Sequence, residues 1–134
     1  MKPISKIQAI VECKCPRCRK GQIFSGKLYA FKGQTTNEYC PVCNLRFERE
    51  PGFFYVAMFI SYAMNVAEMI TIAVATYILG LELTYENLWA FVAIIMVGVF
   101  LFAPLNYRYS RVFLLHWLTP GLGYVPGVEA AKVN

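Results

Sequence analysis

A chain of 134 residues has room for one soluble domain, or for a smaller module with membrane anchors. Its composition argues against an ordinary soluble domain: 57% of the residues are hydrophobic and 16% charged, where about 25% charged is usual. The net charge of +5 would suit nucleic acid, but an anionic membrane leaflet attracts Lys and Arg equally well, and the apolar runs described below favour the membrane.

Residues 1–50 hold all five cysteines and most of the charge. Ten of the thirteen Lys and Arg residues lie within positions 1–52, and only Arg108, Arg111 and Lys132 follow. A secretory signal is not expected, because Met1–Glu12 is too short and too mixed for the apolar run of about 7–15 residues that one requires. The most specific pattern is Cys15-Pro16-Arg17-Cys18, then twenty-one residues, then Cys40-Pro41-Val42-Cys43. Each C-x-x-C turns two thiolates inward, and two such knuckles at this separation complete a tetrahedral metal site. Ile23-Phe24, Leu28-Tyr29 and Glu38-Tyr39 each carry a β-favouring residue, and Gly26 and Gly33 separate them, so a small β-rich ribbon is expected around the site.

Four chemistries compete for these thiols. Structural zinc leads, because all four ligands are protein atoms and no position is open to substrate. A rubredoxin-like iron site would use the same four sulfurs. A redox dithiol lacks the surrounding βαβ pattern. Structural disulfides are disfavoured in the reducing compartment that the topology below assigns. Cys13 is a fifth thiol, either a surface bystander or a group able to exchange metal with its neighbours.

Pro51-Gly52 marks a break, giving an expected division into residues 1–50, a two-helix hairpin over 51–111 and a cytoplasmic or interfacial segment 112–134. The first apolar run, about 53–80, opens on Phe53-Phe54-Tyr55, an interfacial aromatic anchor. The second, about 88–107, carries Pro104 near its end, where a lost backbone hydrogen bond costs least. The connector Glu82–Asn87 has no Lys or Arg while both flanks do, so both termini are expected in the cytoplasm.

Ser61, Asn65 and Glu68 share one face of the first run at helical spacing. An ionised carboxylate at that depth costs several kcal/mol, so this face is expected to serve either helix packing or a proton or ion site, with packing favoured because two spans make a poor transport path. His116, the single histidine, is read as an amphipathic interfacial residue, with haem or copper ligation as the weaker alternative. No G-x-S-x-G, H-E-x-x-H, Walker loop or G-x-G-x-x-G occurs, and the chain has no aspartate, so no catalytic set is recognisable.

Taken together, Cys15-Pro16-Arg17-Cys18, Gly21-Gln22-Ile23-Phe24, Cys40-Pro41-Val42-Cys43 and the two apolar runs resemble the bacterial family named domain of unknown function 983, over roughly positions 13–118. The chain departs from such ribbons at Arg19 and Asn44, which stand where glycine is usual after each knuckle; Asn tolerates the left-handed backbone well, Arg less so. The resemblance implies a partner class, since genes of similar proteins often lie among those for cytochrome c oxidase and its assembly factors. The expected function is therefore a non-catalytic accessory or assembly subunit of an inner-membrane complex of the cytochrome c oxidase type. The alternatives are a metal-handling or redox membrane protein using the cysteines, or a self-associating homo-oligomer.

Overall fold

The structure, a computed structural model, describes residues 4–29 and 35–128. In chain order it has a short helix α1 (Lys6–Val11), two long helices α2 (Tyr55–Ile78) and α3 (Leu88–Phe113), and a π-helical turn (Leu114–Leu118) that continues α3.

The cysteine region is not β-rich among the described residues. Its pairing consists of three isolated antiparallel bridges, Lys14–Gln22, Phe24–Thr36 and Tyr39–Arg46. This corrects the expectation of strands: Phe24 and Tyr39 each pair at a single position, and Leu28-Tyr29 forms a turn. The reason is local. Cys13, Arg19 and Asn44 all adopt positive φ and interrupt an extended path, while the backbone bonds close tight turns around the cysteines. The expected break at Gly33 lies outside the described residues.

Helices α2 and α3 pack against each other as an antiparallel hairpin. Gly98 permits close approach, since a Cβ there would stand 2.5 Å from Cδ1 of Ile72, the use that small residues commonly have between apolar helices. At 1.5 Å per residue, α2 and α3 extend about 36 and 39 Å, longer than a hydrocarbon core of about 30 Å. Both are long and apolar enough to cross a membrane. Their outward faces are uncovered: Phe59, Ile78, Leu79, Trp89 and Phe100 are each at least 75% exposed. A core helix of a soluble protein would bury such side chains.

α3 continues past the expected limit near 107, passing through Pro104 without a break. Its last turn and the π-helical turn then enter the core of the cysteine region. Val112 and Leu115 are fully buried and cluster with Ile23, Phe24, Phe47 and the cysteines, flanked by Phe53, Phe54 and Leu122. The segment after the π-helical turn folds back over the first knuckle. Val125 N–H donates to the Arg17 carbonyl at 3.1 Å, and the Arg19 guanidinium lies 4.3 Å from the Tyr124 ring while donating to the Ile4 carbonyl at 2.8 Å.

Candidate metal centre

The two knuckles share the same turn at the first cysteine, the first knuckle closing one residue later than the second. In the first, Cys15 N–H donates to the Gly21 carbonyl (2.8 Å) and Arg19 N–H to the Cys15 carbonyl (2.9 Å). In the second, Cys40 N–H donates to the Leu45 carbonyl (2.9 Å) and Asn44 N–H to the Cys40 carbonyl (2.9 Å). Arg19 (φ 55°) and Asn44 (φ 56°) occupy the same left-handed position in each turn, so the sequence departures from glycine preserve the turn at the cost of some strain at Arg19.

This geometry brings Cys15, Cys18, Cys40 and Cys43 together, with all four Sγ atoms within 4.8 Å of one another. A tetrahedron with metal–sulfur bonds of about 2.3 Å has sulfur–sulfur edges near ~3.8 Å. The Cys15–Cys43 and Cys18–Cys40 edges are 3.7 and 3.6 Å, so the donor set fits a single tetrahedrally bound ion. Those separations are far beyond a disulfide bond of about 2.05 Å, and all five cysteines are free thiols. Gly21 is a required part of the cradle: its N–H points at Cys18 Sγ at 3.5 Å, and a Cβ on it would overlap Sγ of Cys40.

The thiols do not share one electrostatic environment. Burial pushes Cys15 far above its ordinary 9.0, against the pull of the Cys18 and Arg17 N–H groups. Burial likewise pushes Cys43 up to about 11, opposed by the Leu45 N–H. Cys18 is buried too, but the N–H groups of Gly21 and Lys20 and the thiols of Cys40 and Cys43 hold it below 9.0. Cys18 thus gives up its proton more readily than Cys15 or Cys43, and a bound cation would favour the ionised form of those two buried thiols.

Cys13 stands apart from this group. It is buried in the surrounding core, and burial raises its thiol, partly offset by the charge of Arg108.

The polar face of α2 finds its counterpart on α3. Asn106 Nδ2 donates to Asn65 Oδ1 (2.5 Å) and to Glu68 Oε2 (2.8 Å), while Glu68 Oε1 is buried without a hydrogen-bond partner. Ser61 lies one step towards the cysteine region, lining a cavity of about 250 Å³ with Asn65, Ser110 and Arg111 among others. His116 sits in the π-helical turn and is buried; its Nδ1 is 3.0 Å from the Val112 carbonyl, so that nitrogen carries the proton. Its Nε2 is buried without a partner, and His116 is not among the four clustered ligands.

Asn106, Val112 and Leu115 are the residues that sequence reasoning did not single out. Val112 and Leu115 continue α3 at a spacing of three, a signal visible in the sequence but masked by the prolines and glycines just beyond it. Asn106 adjoins Tyr107-Arg108 and so reads as part of the polar flank. No protein-family model, no curated protein and no solved structure matches this chain.

Proposed function

We propose that the chain is a non-catalytic accessory or assembly subunit of a larger complex in a bacterial inner membrane, with a structural zinc ion holding its cysteine region in shape. The observation that carries this reading is the four-sulfur cluster, three of whose cysteines are buried and all of whose donors are protein atoms. A closed site of this kind stabilises a surface and leaves no position for substrate. Iron in the same four sulfurs is the competing metal, and metal analysis with an absorption spectrum separates the two.

The orientation has both termini in the cytoplasm. The uncharged-to-acidic connector and the basic flanks support it, as does the packing of α3's far end against the N-terminal cysteine region, which puts both on one side of the hairpin. The basic surface then lies at the anionic leaflet, available to a partner's cytoplasmic face. Burial of Cys13 in the core supports a fixed scaffold over a metal carrier, which would need an accessible exchanging thiol.

The resemblance to the family named above supplies the partner class, a cytochrome c oxidase-type complex. Purification of the tagged chain from its native membrane in mild detergent, with mass spectrometry of co-purifying proteins, tests it. Stoichiometric oxidase or other respiratory subunits are expected. Unchanged oxidase content and activity after deletion of the chain would reject the oxidase partner.

A further inference from the structure

We infer that the cleft beside the start of α2 holds the headgroup of one phospholipid bearing both a phosphate and an amine, namely phosphatidylethanolamine. The inference rests on the membrane-spanning reading above.

Arg111 is the centre of the site. Its guanidinium lies 3.7 Å from the Tyr107 ring centroid and 5.2 Å from that of Phe54. Nη1 reaches the Tyr107 carbonyl at 3.5 Å, whereas Nε is buried and has no hydrogen-bond partner. Guanidinium presents five donors in a planar fork that matches phosphate oxygens, and the long Nη1 contact leaves that nitrogen free to serve a stronger acceptor in the cleft. Residues 88–107 span about 30 Å as a helix, which puts Arg111, one turn further on, at headgroup level.

Charge and shape narrow the ligand. Arg111 lines a cavity of about 260 Å³ together with Glu48, Gly52, Phe54, Tyr55 and Met58. An anion alone would face the Glu48 carboxylate as well as Arg111. A headgroup carrying phosphate and ammonium gives each side chain an opposite charge. Tyr55 and Met58 also line the next cavity, about 450 Å³, with Phe59 and Tyr62. That slot follows the outward side of α2 and is apolar, so the occupant continues as an acyl chain, which a free phosphate or phosphoethanolamine lacks.

Native mass spectrometry of the full-length, metal-loaded protein tests the assignment. The detergent-solubilised chain is offered equal amounts of phosphatidylethanolamine and phosphatidylglycerol with identical acyl chains. One phosphatidylethanolamine is expected to be retained in roughly fivefold preference, the scale of one partly exposed ion pair. Glu48→Lys is expected to reverse the preference towards phosphatidylglycerol, and Arg111→Gln to lose both lipids, each with metal content unchanged. Equal retention of the two lipids by the unaltered protein overturns the inference. So does displacement of the lipid by inorganic phosphate, or isolation of a lipid-free dimer. An alkaline wash of the membranes distinguishes the failures: a chain that washes off was never spanning, whereas one that stays without lipid preference rejects only the headgroup site.

Discussion

Gly21 occupies a position that admits no side chain, because a Cβ would overlap the Cys40 sulfur while its own N–H points at Cys18. Gly21→Ala is expected to weaken metal retention by roughly 10–100-fold, the usual scale for disturbing groups that orient metal ligands; competition with a chromogenic chelator measures it, and unchanged retention would remove Gly21 from the site. Proton competition gives a second outcome at this scale. Burial holds Cys15 and Cys43 above their ordinary 9.0, Cys43 at about 11, so both carry protons at neutral pH when metal is absent. Metal binding must expel at least these two protons, and the apparent affinity should rise at least about a hundredfold per pH unit around neutrality. Chelator competition at two pH values tests the slope. Without metal the sign is opposite. The raised thiols favour the folded cysteine region fully below pH 9, and that contribution fades as pH rises towards 11.

At the scale of elements, the hairpin is joined by Asn106, whose amide serves Asn65 and Glu68 together. Asn106→Leu leaves two polar groups of α2 without their donor between helices. A loss of about 1–2 kcal/mol of hairpin stability is expected, read by denaturant titration in micelles; Asn106→Gln should lose less, since it keeps the amide. The helices themselves were legible in the sequence, because runs such as 53–80 and 88–107 are too long and too apolar to read as strands or loops. The Ser61-Asn65-Glu68 face was legible by its spacing, but its partner was not. Asn106 stands next to charged and aromatic residues that mask it as the start of a polar flank. The knuckles were legible down to their left-handed residues, Arg19 and Asn44. The strands expected between them were not, because Phe24 and Tyr39 carry β preference without the neighbouring extended residues needed to turn single bridges into ladders.

For the whole molecule, the metal centre and the hairpin share one core. Leu115 is wholly buried among residues of the cysteine region, although it lies seventy-two positions after Cys43 in the chain. Leu115→Ala is expected to cost about 2–5 kcal/mol and to lower the metal content of purified protein while leaving all four ligands in place. Undiminished metal per chain would mean that the cysteine region folds independently of α3. No periodicity in residues 1–50 could have revealed this dependence, since the missing apolar surface is supplied from the other end of the chain.

That arrangement gives biosynthesis an order. The cysteines leave the ribosome well before Val112 and Leu115, which close the core over them. At 5–20 residues per second, roughly 4–14 s separate Cys43 from Leu115, an interval that contains the synthesis of the second apolar helix. On the orientation proposed above, the thiols would stay open to the surrounding solution until both helices are in place, and a firmly held metal ion would report a completed hairpin. Nascent chains arrested before Val112 should be alkylated at these cysteines, and chains extended well past Leu118 should be protected; protection already at the shorter length would show that the thiols are closed before α3 is finished.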